Sequence, residues 1–168
     1  MDDLKQSFDR MQKQVFEITE ITHRQHKSGH DFGTGDLLYP AEIHTIQAIG
    51  DHDDINVTAL SEKMNVTKAT ISERIKKLKR LELISAQNSE TNLKEVILRL
   101  TERGRVAYDG HEAHHQAMYQ HFMSCFGKNA ARQLRKCQQA FTAYLDVLKT
   151  GCVPRTNSGF EAPRPRRS

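Results

Sequence analysis

The sequence lacks both a cysteine framework and a long apolar segment. Its three cysteines, Cys125, Cys137 and Cys152, are an odd number without C-x-x-C spacing, so a disulfide scaffold is not implied and a reducing compartment is expected. No stretch approaches the roughly 18 consecutive apolar residues of a membrane-spanning helix. The opening residues, MDDLKQSFDR, carry charge where a signal peptide needs an apolar run. We therefore expect a soluble, cytoplasmic protein.

A strong overall charge is also missing. The chain has 25 Lys and Arg against 21 Asp and Glu, and a formal net charge of +4 does not by itself predict a nucleic-acid partner. The distribution is more informative, because seven basic residues and three glutamates lie between Asn56 and Leu83. Four more arginines follow within 155–168. Such local clustering is typical of surfaces that contact DNA phosphates.

Apolar spacing in the first part of the chain predicts two helices. The first helix is indicated by apolar residues at three- and four-residue spacing: Leu4, Phe8, Met11, Val15 and Ile18. Its pattern fades at the glycines of KSGHDFGTGDLLY. Pro40 is predicted to begin a second helix, because a backbone N–H in the first turn has no partner within the helix and proline loses nothing by lacking one. Gly50 is predicted to end that helix.

The segment NVTALSEKMNVTKATISERIKKLKRLELI is typical of a helix-turn-helix unit. Thr58 is predicted to cap a short helix that runs to about Met64, and residues 65–66 form the turn. Thr67 and Lys68 open the second helix. After this unit, Val96, Leu98 and Leu100 alternate with other residues beyond the polar stretch 85–95, which predicts a β-hairpin with a polar tip.

Two long helices are predicted to follow the hairpin. Thr101 caps the first, which extends to about Phe126, and the second begins near Asn129. The second helix carries an apolar seam with a seven-residue repeat, the kind that usually contacts a partner helix: Leu134, Phe141 and Leu148, with Cys137 and Tyr144 between them. Beyond Gly151 the sequence has little to bury, and we expect disorder.

This order of elements resembles the MarR family of winged helix-turn-helix regulators over roughly residues 1–150. The most specific segments are VTALSEKMNVTKATISERIKKLKRLELI and LRLTERG. The resemblance implies a mainly α fold with a small β-hairpin wing, and a homodimer formed through the N- and C-terminal helices. The predicted parts are an N-terminal dimerisation helix and loop (1–37), a winged helix-turn-helix domain (38–101), long C-terminal dimerisation helices (102–150) and a basic tail (151–168).

The resemblance also implies that the helix opening at Thr67 lies in the major groove of a double-stranded, pseudo-palindromic operator. Residues near the start of a recognition helix contact base edges. The predicted base-reading side chains are those of Lys68, Ala69, Thr70, Ser72 and Glu73, and Thr67 is also predicted to contact the DNA. Lys76, Lys77 and Lys79 are predicted to contact phosphates or simply to solvate the helix.

The wing tip NSETNLKEV departs from the family pattern, which has an Asp-Arg pair there. Asn92 and Lys94 are the only plausible substitutes for that pair, so we predict that these two residues are the wing's contacts with DNA.

Residues 111–115, HEAHH, match the H-E-x-x-H pattern of zinc proteases. That chemistry needs a substrate cleft beside an edge strand and a third ligand downstream, and this chain is too short to add such a domain. A hydrolase is therefore only a remote alternative, and we expect the chain not to be an enzyme.

His111 and His115 are nevertheless one helical turn apart, the spacing at which two imidazoles share a metal ion. Their pattern, together with His44, is similar to that of the zinc-sensing repressors of the MarR family, which also use an acid near the end of the first helix. Here His26 or Gln25 takes that place, and His30, Asp31 and, less favoured, His23 are the other candidates. The predicted ligand set is His44, His111, His115 and His26.

Two regulatory interpretations stay open at this point. In the first, the chain is a zinc-responsive repressor, with nickel, manganese or iron as other candidate metals. In the second, it is a MarR-type regulator that responds to a small organic ligand, and its nine histidines form an i, i+4 pair by chance. A purely architectural DNA-binding protein is a further alternative, which a preference for a pseudo-palindromic site would exclude.

Overall fold

The computed structural model describes residues 2–52, 54–88 and 95–150. The wing-tip candidates Asn92 and Lys94 and the tail 151–168, with its expected disorder, lie outside the described residues. In chain order the described elements are α1 (Asp2–Gln25), α2 (Pro40–Gly50), β1 (Ile55–Asn56), α3 (Val57–Lys63), α4 (Lys68–Arg80), β2 (Ile84–Asn88), β3 (Val96–Leu100), α5 (Glu102–Ser124), a 3-10 turn (Gly127–Asn129) and α6 (Ala130–Thr150).

The chain forms two compact units that divide between Met118 and Tyr119. The first unit contains the helix-turn-helix and the wing, and its core is built from apolar side chains of α2, α3, α4 and the sheet. The largest fully buried side chains are Leu38, Ile46, Ile49, Leu60, Ile71, Leu78, Leu83, Leu98 and Thr45. The expected mainly α fold with a small wing is confirmed, whereas the four-part functional division remains a prediction.

The helices of the helix-turn-helix begin at polar caps. Thr67 is the N-cap of α4, as predicted, and its side chain accepts a hydrogen bond from the backbone N–H of Thr70. The predicted cap of α3 is wrong: Asn56, rather than Thr58, has the extended backbone of a cap, and its side chain accepts from the N–H of Ala59 at 2.8 Å. Asparagine is among the best N-cap residues, which explains why the helix begins two residues earlier.

The wing is part of a three-stranded antiparallel sheet with the order β1-β3-β2. The predicted hairpin pairs Ile84 with Leu100 and Asn88 with Val96. β1 lies on the other side of β3, where Ile55 pairs with Leu98. The sequence did not predict β1, because two residues are too short for a periodic pattern.

The junction between the wing and α5 is closely packed. Thr101 caps α5, as predicted, by accepting from the N–H of Gly104 at 3.0 Å, and its hydroxyl donates to the carbonyl oxygen of Glu82 at 2.6 Å. A Cβ atom at Gly104 would lie 1.9 Å from the Leu83 carbonyl oxygen. Only glycine therefore allows α5 to approach the start of β2 so closely.

The second unit contains the end of α5, the 3-10 turn and α6. The apolar seam predicted on α6 is largely exposed: Phe141 is 51 % and Leu148 is 59 % accessible to solvent. Among the described residues, no helix is both long enough and apolar enough to cross a membrane.

Candidate metal centre and DNA-contacting surface

Three histidines converge in one pocket of the first unit. His44 comes from α2, and His111 and His115 come from successive turns of α5. One candidate ligand atom from each lies within 4.8 Å of the other two. The Nε2 atoms of His111 and His115 are 3.1 Å apart, and the centroids of the His44 and His111 rings are 5.4 Å apart. The structure thus brings together the three histidines that the sequence singled out.

The loop after α1 forms one wall of this histidine pocket. Phe32 packs the edge of its ring against His111, with ring centroids 5.4 Å apart and an interplanar angle of 86°. This contact depends on Gly110, where a Cβ atom would lie 2.3 Å from the Phe32 carbonyl oxygen. The close approach of loop and helix leaves the His111 side chain only 4 % exposed.

The surroundings of the pocket favour the uncharged forms of His111 and His44. Burial, followed by repulsion from His115, His44 and His114, lowers the pKa of His111 to about 4. The pKa of His44 is also lowered, first by desolvation and then by the neighbouring His115 and His26. Neutral imidazole is the form that binds a metal ion, so the lowered pKa values of His111 and His44 favour that role.

One buried nitrogen in the cluster has no protein partner. Within the described part of the chain, Nδ1 of His111 lacks a hydrogen bond. Leaving a buried polar atom unpaired costs about 1–3 kcal/mol, and a natural structure usually explains it by a missing water, ion or ligand. Three converging imidazoles with an unpaired buried nitrogen fit a zinc ion, which prefers nitrogen and sulfur ligands.

The fourth predicted ligand, His26, lies at the same pocket but outside the group of three. Its side chain lines the pocket together with Gln25, His30 and His114. Asp31, by contrast, is bonded to its own loop, since one of its carboxylate oxygens accepts from the backbone N–H groups of 33–35 at 2.8 to 3.0 Å. The pKa of the Asp31 carboxyl is lowered, first by its bond from Gly35. His23 is absent from the described lining.

The glutamate of the HEAHH string does not face the histidine cluster as a catalytic base would. Glu112 is exposed, and its Oε1 accepts a hydrogen bond from Nε2 of Gln47 at 3.0 Å. This contact joins α5 to α2 and gives Glu112 a structural partner. The geometry provides no support for a hydrolase.

The N-terminal half of α4 presents polar side chains to solvent. Thr67, Lys68, Ala69, Thr70 and Glu73 are all exposed. The hydroxyls of Thr67 and Thr70 are 2.9 Å apart and form a hydrogen bond with each other. The predicted base-reading residues therefore share an accessible end of the helix.

Two other predicted contact residues on α4, Ser72 and Lys76, have partners within the chain. The hydroxyl of Ser72 donates to the Lys68 carbonyl oxygen at 2.8 Å. Lys76 pairs with Glu73 at 2.7 Å in an exposed ion pair, which water and salt weaken. The DNA contacts of all these residues remain predictions.

Lys77 forms a link that the sequence did not predict. Its ammonium group lies 2.5 Å from Oε1 of Glu42 on α2 and 5.1 Å from the centre of the Tyr39 ring. The other oxygen of Glu42 accepts from the backbone N–H of Tyr39 and caps α2. Thirty-five residues separate Glu42 from Lys77 in sequence, so no local spacing rule could have paired them.

Comparison with known proteins gives a consistent result. The family model described as MarR matches residues 38–96. The chain is 34 % identical over 116 residues to the HTH-type transcriptional regulator PchR of Bacillus subtilis, a match covering 67 % of this chain and 68 % of PchR. It is also 34 % identical over 111 residues to the regulator YhjH of the same organism. That match covers 66 % of this chain and 63 % of YhjH, so the chain spans less than two thirds of that relative.

Solved structures share the fold at lower identity. FabT of Streptococcus pneumoniae, in complex with DNA, has a TM-score of 0.67 and 22 % identity over 84 % of this chain and 99 % of that one. ZitR of Lactococcus lactis, described as a zinc-responsive member of its family, has a TM-score of 0.61 and 18 % identity over 85 % of this chain and 96 % of that one. The two Bacillus subtilis relatives are named as HTH-type transcriptional regulators and not as enzymes.

Proposed function

Since the chain belongs to the MarR family, we propose that it is a DNA-binding transcriptional repressor whose affinity for its operator depends on zinc. The observation that carries the zinc response is the convergence of His44, His111 and His115, whose ligand atoms lie within 4.8 Å of one another. The exposed N-terminal half of α4 supports the DNA-binding part of the proposal.

The proposal that the chain binds DNA is supported by the exposed polar side chains at the N-terminal end of α4. A recognition helix contacts base edges with its N-terminal residues, and Thr67, Lys68 and Thr70 are exposed there. Threonine hydroxyls donate or accept, and lysine donates to guanine. The complex of FabT with DNA shows that a protein of the same fold binds DNA.

We propose that two copies of the chain bind one pseudo-palindromic site. A dimer with two-fold symmetry presents two recognition helices to two half-sites. Support comes from apolar side chains on α1 and α6 that are exposed in the single chain: Leu4, Phe8, Phe16, Leu134, Phe141, Leu145 and Leu148. Burying such surfaces in a partner would remove them from water.

The zinc part rests on the fit of the donor set. When bound, zinc would supply a positive charge and coordination bonds that hold α2 and α5 together through His44, His111 and His115. His26 remains the predicted fourth ligand. The zinc-responsive ZitR, which shares the fold, adds support.

The arrangement also suggests how the histidine pocket affects DNA binding. α2 carries His44 in the pocket and, two residues earlier, Glu42, which pairs with Lys77 of α4. A change in the position of α2 therefore acts on both the pocket and the recognition helix. Coupling between an effector and DNA is typically about 1–3 kcal/mol, or roughly 5- to 150-fold in affinity.

The test begins by selecting a preferred site from a random DNA pool with the full chain. Fluorescence anisotropy then measures affinity for that site at buffered free zinc concentrations and with a chelator. We expect zinc to strengthen binding by about 5- to 150-fold in the wild type. The variant His111→Ala should lose this response and keep its helical circular dichroism.

The matched control is His23→Ala, which removes an exposed histidine of α1 outside the described pocket lining. This variant should respond to zinc as the wild type does. A full zinc response in His111→Ala would place the metal site elsewhere, and a chain that selects no sequence at all would contradict the regulatory function.

A further inference from the structure

One acidic side chain lies at the centre of the exposed face of α4. The helix carries six basic residues and a single acid, Glu73. Glu73 is two residues from both Ile71 and Ile75, which are buried in the core, so it lies about 200° around the helix from each of them. Its side chain is 72 % exposed. Glu73 therefore points away from the core, on the side where a recognition helix contacts DNA.

The residues that share this face allow Glu73 to approach base edges. Ala69, Glu73, Lys76 and Arg80 follow one another at spacings of four, three and four residues, which places them on one side of the helix, and all four are exposed. Ala69, one turn before Glu73, has only a methyl group, so the helix backbone can lie close to the floor of a major groove. The two basic side chains lie towards the C-terminal end, where they can reach phosphates.

A carboxylate on this face is unfavourable beside DNA unless it accepts a hydrogen bond there. DNA carries one negative charge for about every 1.7 Å of its axis, so its phosphates repel Glu73 while they attract the basic neighbours. An ionised carboxylate only accepts hydrogen bonds. Of the four bases, cytosine alone presents a donor without a neighbouring acceptor on its major-groove edge, namely the N4 amino group. Cytosine is therefore the base that suits Glu73 best.

The ion pair with Lys76 does not prevent this contact. The Oε1 atom of Glu73 is 2.7 Å from Nζ of Lys76, and both side chains are 72 % exposed. Water and salt weaken an exposed pair of this kind, and the DNA phosphates attract the lysine. The two side chains can therefore exchange each other for DNA partners at little cost.

We propose that Glu73 reads one cytosine in each half-site of the operator and makes α4 selective for a C·G pair at that position. The inference rests on the proposed DNA-binding function and names a base that the recognition helix requires. A carboxylate oxygen of Glu73 accepts from the N4 amino group of cytosine, while Lys76 turns to a neighbouring phosphate. A thymine in the same place presents its O4 acceptor, which repels the carboxylate. Glu73 thus excludes wrong sequences as well as binding the right one.

Site selection with the wild type and with variants of Glu73 tests this role. The full chain, at one buffered zinc concentration, selects sites from a random DNA pool. Fluorescence anisotropy then measures its affinity for the preferred site and for copies with single base-pair changes in one half-site. We expect one C·G pair whose replacement by T·A weakens wild-type binding by about 5- to 150-fold. Glu73→Ala should lose this preference, and Glu73→Gln should select adenine there, because glutamine pairs with N6 and N7 of adenine.

Two control variants separate base reading from charge and from the ion pair. Glu82→Gln removes the same charge just beyond the C-terminal end of α4, and it should keep the wild-type preference for cytosine. Lys76→Ala removes the ion-pair partner of Glu73 and a predicted phosphate contact. It should weaken binding to every sequence and keep the preference for cytosine. Glu73→Ala should instead bind unselected DNA more tightly than the wild type does, because a repelling charge is gone.

The outcomes distinguish this inference from the proposed function. A wild-type chain that selects no sequence contradicts DNA-binding regulation, and the role of Glu73 falls with it. Base preferences that are the same in the wild type and in Glu73→Ala leave that function standing and overturn the role of Glu73. A Glu73→Ala variant that only loses stability in urea has the same meaning, because Glu73 would then serve the helix through Lys76. A Glu73-dependent position at which the wild type prefers a base other than cytosine also overturns the inference.

Discussion

At the scale of single residues, the chemistry of His111 follows from its burial. Its ring lies between Phe32, His44 and His115 and is 4 % exposed, whereas His44 is exposed and His115 is half-buried. The sequence established the helical spacing of His111 and His115. It could not predict which of the two would be buried, because that depends on the close approach of the Phe32 loop to α5, which the absence of a side chain at Gly110 allows.

The lowered pKa of His111 predicts that acid destabilises the metal-free fold. Between pH 6.5 and about 4 the unfolded histidine is protonated and the folded one is not, so the unfolded state binds more protons. The free energy of unfolding contributed by this group is present above pH 6.5 and is lost as the pH falls towards 4. Urea denaturation at pH 7 and pH 5, with a chelator present, measures the loss.

The variant His111→Phe should reduce this pH dependence, because the replacement ring does not titrate. His121→Phe, at an exposed position of α5, should keep the wild-type dependence. An unchanged pH dependence in His111→Phe would show that other groups cause the loss of stability in acid.

At the scale of elements, local patterns predicted most of the helices. Pro40, Thr67 and Thr101 were placed correctly as helix starts, because proline has no N–H to leave unpaired there and threonine hydroxyls accept from the free N–H groups. β1 and the Glu42–Lys77 ion pair were missed because each depends on residues far apart in sequence. The position of His44 beside His111 also needed the tertiary fold, and the sequence suggested it only through the family resemblance.

The corrected start of α3 gives a test at this scale. Asn56→Ala removes the cap of α3 and also a side-chain hydrogen bond to Glu95, so we expect it to lower the free energy of unfolding by about 1 kcal/mol or somewhat more. Thr58→Ala, at an exposed helical position, should change it by less than about 0.5 kcal/mol. If urea denaturation showed that both variants lower the free energy of unfolding equally, Thr58 would contribute to the cap as much as Asn56.

At the scale of the whole molecule, the exposed apolar side chains of α1 and α6 set the expected assembly. Leu4 is 81 % and Phe16 is 68 % exposed on α1, and Phe141 and Leu148 are exposed on α6. Exposed apolar surface of this kind is unfavourable in water, so we propose that a second copy of the chain covers it. The winged helix-turn-helix core, in contrast, buries its apolar side chains within a single chain.

The proposed dimer predicts the effect of a charge in the α6 seam. Phe141→Glu should shift the chain towards monomer and weaken operator binding by at least about tenfold, because the two half-sites would then be bound separately. Gln139→Glu, which adds the same charge at an exposed polar position of α6, should remain dimeric. Sedimentation at micromolar concentration measures both, and a dimeric Phe141→Glu would exclude this seam from the interface.

The two neighbouring contacts of α2, His44 in the histidine pocket and Glu42 on Lys77, have a consequence for metal supply. Thermodynamic coupling between two sites is reciprocal, so an effector that tightens DNA binding is itself held more tightly on DNA by the same factor. A repressor seated on its operator would therefore keep its metal after free copies have released theirs. As the concentration of free metal falls, repressor molecules that are not bound to DNA would lose their metal first. Repressor bound to the operator would lose its metal last, so the regulated promoter would respond only at the lowest metal concentrations.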